Sequence, residues 1–172
     1  MTCTSDDFRL AMRRFPASVA IVATGARPYR AGMTATAICS LSADPPQLLA
    51  CLNQRTMTCR TVQQCRTFSI NLLNTSQLPL ARIFAGLEGE AVAEEKFEAG
   101  NWREGSSGAP ILEAAVLTLE CALVTSHAAS THNILIGKVL EISGQVAEDA
   151  LIYRSGVFGT WTGLAPPQQH FI

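Results

Sequence analysis

Residues 32–52, GMTATAICSLSADPPQLLACL, decide the expected fold. The first part, from Gly32 to Ser42, is rich in small and hydroxylated residues and fits either a strand or an extended loop. Asp44-Pro45-Pro46 must turn, because proline restricts its own backbone and that of the residue before it. Gln47 to Leu52 is a short apolar run, which is typical of a buried strand. Since no helix separates these segments, we expect neighbouring strands to be antiparallel.

Further strands and helices are predicted on both sides of this stretch. β-branched or alternating runs predict strands at 18–24, 67–73, 116–125, 134–146 and 150–153. Helical spacing predicts a helix capped by Ser5 and stopped by Pro16, a second helix at 54–66 and a third at 78–84. Residues 86–109 are polar and glycine-rich, so Phe97 and Trp102 are predicted to lie outside the core. Together these elements predict an α+β, mainly β fold, an antiparallel barrel with a few peripheral helices.

Composition limits the classes of function. The 172 residues suffice for one domain, predicted at 5–162 with a C-terminal tail at 163–172. The net charge of -1 gives no reason to expect nucleic acid as a partner. No apolar run reaches the roughly 18 residues of a membrane span, and the N-terminus does not resemble a signal peptide. We therefore expect a cytoplasmic protein with no membrane partner.

The cysteines and histidines do not form a metal-binding pattern. Six cysteines occur without a CxxC pair, and Cys39, Cys51 and Cys121 stand in apolar runs that predict core positions. His127 and His132 are five positions apart, so alternation along a strand would put them on opposite faces. No metal site is expected.

Two neighbouring segments have the chemistry of the two ends of a flavin site. A flavin ring needs a flat slot with small residues and hydroxyls, which one segment supplies: Met33, Thr34, Ala35, Thr36, Ala37, Ser40, Leu41 and Ser42. Asn53 to Arg60 runs from a strand into a helix start, where free N–H groups and Arg55 suit a phosphate. The alternatives are an ordinary Ala/Thr strand for the first segment and routine helix capping by Thr56 for the second.

The sequence shows no constellation of catalytic nucleophile and base. No serine stands in a GxSxG motif, and GxGxxG is absent, which argues against a Rossmann domain. Hydride transfer between two bound cofactors is compatible with this absence, because the protein then has only to position them. His132 stands at the start of an apolar strand, where it either binds a ligand or caps the strand end.

The chain resembles the short-chain flavin reductases of two-component monooxygenases from about Phe8 to Trp161. The resemblance rests on the order and spacing of nine short segments: FRLAM at 8–12, GMTATA at 32–37, SLSADPP at 40–46, NLL at 71–73, FAG at 84–86, EKF at 95–97, TH at 131–132, IGKV at 136–139 and LIY at 151–153.

This resemblance implies an FMN-binding split β-barrel that transfers hydride from NADH or NADPH to FMN or FAD. It also implies a homodimer with flavin sites near the interface and a flavin-dependent monooxygenase that receives the reduced flavin. Carried over by position, the implied flavin contacts are Thr34 to Ala37, Ser40 to Ser42, Asn53, Arg55, Thr56, Thr58, Phe84, Ala85 and Gly86. His132 and Tyr153 are implied near the nicotinamide, with His132 positioning it.

One departure affects the nicotinamide end. Many family members carry Gly-Asp before the histidine, whereas Ser130-Thr131 precedes His132 here. Nicotinamide binding is therefore a weaker expectation than flavin binding. The alternatives are a non-catalytic flavin carrier or sensor on the same barrel and, more remotely, a barrel that binds haem or another small ligand.

Overall fold

The computed structural model describes residues 2–89, 93–145 and 149–163. Its helices are α1 (Ser5–Met12), α2 (Met57–Cys65) and α3 (Leu78–Phe84), with short 3-10 helices at Thr75–Gln77 and Glu95–Glu98. The strands are β1 (Ala17–Ser18), β2 (Ala20–Thr24), β3 (Ala31–Ala35), β4 (Ile38–Ala43), β5 (Pro46–Asn53), β6 (Thr67–Leu72), β7 (Trp102–Glu104), β8 (Pro110–Leu112), β9 (Leu117–Ala129), β10 (His132–Ser143), β11 (Ile152–Arg154) and β12 (Val157–Gly159). Most of the predicted tail, 164–172, lies outside the described residues.

The main sheet has seven strands in the order β3-β2-β6-β9-β10-β5-β4, and its neighbours are all antiparallel. Its two edge strands, β3 and β4, are consecutive in the chain and are separated only by Thr36 and Ala37. Three peptide steps span at most about 11 Å, so the two edges must approach each other at this corner. The sheet therefore curls into an incompletely closed barrel, which confirms the predicted mainly β, split-barrel class.

The barrel interior holds one hydrophobic core. Alternate residues of β5, namely Leu48, Ala50 and Leu52, point into it and are at most 4% exposed. Gly137 on β10 faces Phe68, and a Cβ atom added to this glycine would lie 2.5 Å from the phenyl ring. The close approach of β10 to the centre of the barrel thus requires glycine.

A second core lies outside the barrel and corrects one prediction. Phe84 of α3 packs against Phe97 and Trp102, with ring centroids 5.1 and 5.4 Å away. Phe97 is only 3% exposed. The prediction that Phe97 and Trp102 lie outside the core is therefore wrong, because Phe84, which is 13 residues before Phe97, packs its ring against both. Gly32 leaves room for this cluster, since its Cβ would lie 2.7 Å from the Phe84 ring.

Other local predictions are corrected by hydrogen bonding and exposure. Thr4, not Ser5, caps α1 and accepts a hydrogen bond from the Asp7 amide. The second helix begins only at Met57, because residues 53–56 form its capping turn. Cys39 is exposed and Cys51 is half-buried, so of the three predicted core cysteines only Cys121 is buried.

The two histidines lie on different strands of one hairpin, which reverses their predicted relation. His127 of β9 pairs with Ile134, which is two residues from His132 on β10. Directly paired residues and residues two apart share a face of a sheet, so both histidines face the same side. Alternation failed as a guide because a turn at residues 130–131 separates them. Within the described ranges, no three His, Cys, Asp or Glu side chains form a group that could hold a metal ion.

No helix among the described residues is both long and apolar enough to span a membrane.

A buried carboxylate ties the loop after β7 to the barrel. Glu120 on β9 is 2% exposed and accepts hydrogen bonds from the Ser107 amide at 2.8 Å and the Ser107 hydroxyl at 2.6 Å. Burial alone would raise the pKa of Glu120, but the hydrogen bonds from Ser107 and Ser106 outweigh it and hold the pKa below the ordinary value of 4.5. A carboxyl with a lowered folded-state pKa stabilises the fold above its unfolded pKa and loses that effect as pH falls through the folded pKa.

We therefore expect Glu120→Gln to lower the free energy of unfolding at pH 7 and to matter less at an acidic pH, once the pH has fallen through the lowered pKa of Glu120. Urea denaturation at both pH values measures the difference. The exposed Glu113, replaced by Gln, is the control for the loss of one charge. An equal cost of Glu120→Gln at both pH values would contradict the role of the ionised carboxylate.

Candidate active site

A cavity of about 610 Å³ lies between two groups of strands. One side is formed by β1, β4 and β5, and the other by the end of β6, the start of β9 and the second half of β10. Most of its wall is apolar, formed by Ile70, Leu72, Leu117, Leu119, Val139 and Ile142. No charged side chain lines it among the residues that the structure describes. A cavity of this size and polarity suits a drug-sized, largely apolar ligand.

The edge strand β4 supplies polar groups to this cavity. Ser40 and Ser42 of β4 and Thr36 just before it, three residues of the predicted ring slot, line the cavity. The Ser42 hydroxyl donates to the Asp44 carbonyl at 3.0 Å. The hydroxyls of Thr36 and Ser40 have no hydrogen-bond partner within the described chain, so both are available to a ligand. A β-bulge at Leu41 interrupts the pairing between Ser40 and Ser42, and such bulges re-aim side chains beside functional sites.

The chain from β5 into α2 forms a cationic helix start. Asn53 organises the turn, because its side chain accepts from the Arg55 amide at 2.9 Å and its carbonyl accepts from the Thr56 hydroxyl at 2.7 Å. Thr56 then caps α2 by accepting a hydrogen bond from the Cys59 amide at 3.3 Å. Arg55 is exposed and has no acidic partner among the described residues. This turn combines free helix N–H groups with a guanidinium, as phosphate binding requires.

The corner between β3 and β4 joins the two parts of the site. The Ala37 carbonyl accepts a hydrogen bond from the Cys51 amide at 2.9 Å, two residues before Asn53. Thr36, next to this corner, lines the cavity. The six residue steps from Ser42 on β4 back to Thr36, just before this strand, span at most about 22 Å. The apolar cavity and the cationic turn therefore lie along one continuous edge, where a ligand with a planar head and a phosphate tail can contact both.

His132 lies at the cationic turn. It is the first residue of β10 and pairs with Asn53, while the Gln54 amide group donates to the His132 carbonyl at 3.0 Å. Nδ1 of His132 is 2.8 Å from the Thr131 hydroxyl.

Tyr153 is placed elsewhere. It lies on β11 and pairs with Ala17, and its ring packs 5.2 Å from that of Phe158. Ala17 lines the cavity together with Val139 and Ile142 at the other end of β10. The structure therefore does not bring His132 and Tyr153 together within one chain.

Several residues predicted to contact the flavin instead bond or pack within the protein. The Thr34 hydroxyl donates to the Ala81 carbonyl of α3 at 2.7 Å. Ala35 and Thr58 are buried, and Met33 packs against the barrel core. Phe84 is 2% exposed in the outer core, and neither it nor Ala85 or Gly86 lines the cavity.

The cavity also contains residues that sequence reasoning missed. Pro16, Ala17 and Ser18, which follow α1, form one wall, and Gln47 of β5 forms part of another. Gln54 and Arg60 brace the cationic turn, since Arg60 donates to the Arg55 carbonyl at 3.0 Å. No local pattern marks Pro16, Ala17, Ser18 or Gln47, because long-range strand pairing is what brings them to the site. Gln54 and Arg60, by contrast, belong to the predicted segment Asn53 to Arg60.

Known proteins resemble this chain in sequence and in fold. Residues 12–162 match the model of the flavin reductase like domain. FMN reductase (NADH) RutF of Agrobacterium fabrum is 39% identical over 147 residues, 86% of this chain and 83% of that protein. The structure of the NADH:FAD oxidoreductase SgcE6 of Streptomyces globisporus C-1027, in complex with NAD and FAD fragments, superposes with a TM-score of 0.85 at 28% identity, covering 94% of each chain. BorF, the flavin reductase component of a bacterial two-component tryptophan halogenase, superposes with a TM-score of 0.83 at 28% identity, over 91% of this chain and 98% of that one.

Proposed function

The chain belongs to the family of flavin reductase like domains, and from that premise we propose that it is an NADH-dependent flavin reductase acting on FMN. The observation that carries the proposal is the apolar cavity continuous with a cationic helix start. A flavin held in this site would supply the acceptor for a hydride from reduced nicotinamide, and the residues of this chain would bind and orient it.

The residues present fit a flavin. The apolar cavity wall suits the isoalloxazine ring, and the hydroxyls of Thr36 and Ser40 are available to its polar edge. Arg55, Thr56 and the first N–H groups of α2 would hold the phosphate. Thr34 and Phe84, by contrast, act on the flavin only indirectly, by supporting β3 from its outer side.

The chain contributes binding and orientation rather than proton transfer. No carboxylate, lysine or histidine of the described chain lines the cavity. The apolar wall excludes water from a reduced ring, and the hydroxyl edge sets its orientation. Hydride transfer between two cofactors requires little more from a protein than correct alignment.

We propose FMN and NADH as the preferred pair, because this pair is named for the curated relative, although FAD is named for one structural neighbour. The reduced flavin would pass to a separate flavin-dependent monooxygenase or halogenase, since BorF is the reductase component of such a system. We place the reduction of flavin and its transfer to the second enzyme in the cytoplasm, where the six free cysteines of the chain remain reduced.

Steady-state oxidation of NADH and NADPH with FMN, FAD and riboflavin in turn tests the proposal. We expect turnover with NADH and FMN and a higher KM for flavin with riboflavin, which lacks the phosphate. Tight flavin binding without any oxidation of NADH or NADPH would instead identify a flavin carrier or sensor. A Soret absorption band in the purified protein would identify a haem protein.

We propose that the protein works as a homodimer. Phe8 and Met12 of α1 and Phe15 just after it are 46–64% exposed, and Trp161 is 70% exposed, so segments near both ends of the described chain have apolar surface that a second copy could cover. A second copy could also bring a Tyr153 to the His132 end of the site. Light scattering should give about twice 18.4 kDa at micromolar concentration. A fully active monomer would overturn this part of the proposal.

We expect His132→Ala to raise the KM for NADH by about tenfold or more while flavin affinity stays nearly unchanged. The reason is that His132 stands beside the cationic turn but outside the cavity, where it would position the dinucleotide. The pH profile of kcat should keep all its limbs, since no acid catalysis by the imidazole is expected. His132→Gln, which keeps a hydrogen-bonding side chain, should restore part of the KM. If the KM of His132→Ala for NADH equals that of the wild type, His132 only caps the strand and does not position the dinucleotide.

A further inference from the structure

A second cavity, of about 310 Å³, lies between the β2–β3 turn and the β7–β8 hairpin. Three arginines line it: Arg27 and Arg30 from the turn, and Arg103 from β7. Trp102 and Glu104 also line it. This arginine cavity shares no residue with the candidate active site, and the length of β3 separates it from the Thr36 corner.

Arg30 is a buried and oriented cation. Its side chain is 8% exposed, and Nε and Nη2 donate to one carboxylate oxygen of Glu94 at 2.8 and 2.6 Å. The guanidinium carbon lies 4.5 Å from the centroid of the Phe97 ring, which holds the plane in place. Burial would raise the pKa of Glu94, but the bonds from Arg30 and the charges of Arg30 and Arg27 outweigh it, so the pKa is lowered and Glu94 stays ionised at neutral pH.

The remaining nitrogen of Arg30, Nη1, is left for the cavity. It donates to no other residue in the described ranges, where only Nε and Nη2 bind Glu94. The described chain also contains no side-chain nitrogen or oxygen that is both buried and unpaired. Nη1 therefore keeps some contact with solvent, and since Arg30 lines the arginine cavity, we infer that this contact faces the cavity.

The charges around the cavity favour an anion. The three arginines carry three positive charges, against the single lining carboxylate of Glu104 and the carboxylate of Glu94 behind Arg30. Arg27 and Arg103 are exposed and carry no ion pair in the described part of the chain. Arg103 makes one long hydrogen bond, from Nη1 to the Glu104 carbonyl at 3.5 Å, so most of its donors stay available. Together with Arg27 and with Arg30, which is fixed between Glu94 and Phe97, it suits the geometry of a tetrahedral oxyanion.

We propose that the arginine cavity is a second binding site, specific for a phosphate group, either as free orthophosphate or as the phosphate of a nucleotide. Arg30 is the fixed donor of the site, and Arg27 and Arg103 close on the anion from either side. Trp102 borders the anion and reports its binding.

Tryptophan fluorescence tests this site in the full-length protein. The chain has two tryptophans, so Trp161→Phe leaves Trp102 as the single emitter. We expect orthophosphate and AMP, titrated at constant ionic strength, to change the emission of Trp102 to saturation. Adenosine should have no effect. Equal affinities for orthophosphate and AMP identify a site for phosphate alone, whereas tighter binding of AMP identifies a nucleotide site.

Charge variants assign the response to this cavity. Arg27→Gln and Arg103→Gln should each weaken binding by about tenfold or more, as expected for a charge-assisted hydrogen bond. Arg14→Gln, which removes one exposed charge elsewhere, and Arg55→Gln, at the cationic turn, should leave the response unchanged. The proposal is overturned if Arg55→Gln abolishes the response, if adenosine binds as well as AMP, or if Arg27→Gln and Arg103→Gln bind phosphate with unaltered affinity.

Discussion

Replacing Ser40 with phenylalanine is expected to remove flavin binding almost entirely while the protein remains folded. Ser40 lies on the edge strand β4, is exposed, and faces the cavity proposed for the isoalloxazine ring. A phenyl group there would fill space that the flavin ring needs, but it would displace no core residue. Overlap with a closely packed ring costs about 3 kcal/mol, so affinity should fall by about 150-fold.

Leu41→Phe is the matched control for this experiment. Leu41 is the next residue on the same strand and is 46% exposed, but it does not line the cavity. We expect its flavin affinity to stay within about twofold of wild type, well under 1 kcal/mol. Flavin fluorescence quenching gives the affinities, and circular dichroism checks the fold of both variants. If Leu41→Phe loses flavin and Ser40→Phe keeps it, the ring lies outside the cavity.

Arg55→Ala is expected to weaken FMN binding by about 1.5–3 kcal/mol, which is roughly 10–150-fold. The physical reason is the loss of a guanidinium beside the start of α2, where the exposed Arg55 has no acidic partner within the described chain. Riboflavin lacks the phosphate and should bind the variant and the wild type equally well. The comparison of two ligands on one variant separates a phosphate contact from a change in fold.

Salt dependence provides an independent check on Arg55. FMN binding to the wild type should weaken with rising ionic strength more steeply than binding to Arg55→Ala, because the variant lacks one charge at an exposed site. Equal losses of FMN and riboflavin affinity in Arg55→Ala would contradict a phosphate site at α2. In that case the turn at Asn53 would serve only to start the helix.

The sequence predicted the strands well where the chain alternates or is uniformly apolar. β2, β5 and β6 were expected almost at their observed bounds, since burial of alternate residues leaves a local signature. It also predicted the Thr36, Ser40 and Ser42 edge and the turn of Asn53, Arg55 and Thr56, because small residues and helix caps are recognised locally. Thr34 and Phe84 were predicted to contact the flavin, but in the structure they contact the protein. Thr34 donates to the Ala81 carbonyl, and Phe84 packs against Phe97, both distant in sequence.

The aromatic cluster and the histidines show why the rest could not be predicted. Phe97 and Trp102 looked isolated because their partner, Phe84, is 13 or more residues away in the chain. His127 and His132 share a face only because the chain reverses between them. The arginine cavity likewise joins two segments that are about 75 residues apart, 25–30 and 102–110.

By itself, then, the sequence determined the class of fold, the family resemblance and the chemistry offered at each end of the candidate site. Those properties depend on residue type and spacing over a few positions, where propensity and periodicity act. Only the tertiary structure decided that Thr36 joins cavity and cationic turn, that Tyr153 lies apart from His132, and that Arg30 is held by Glu94 with one nitrogen left free. These depend on strand order and on the close approach of two sheet edges, which arise from packing between segments distant in the chain.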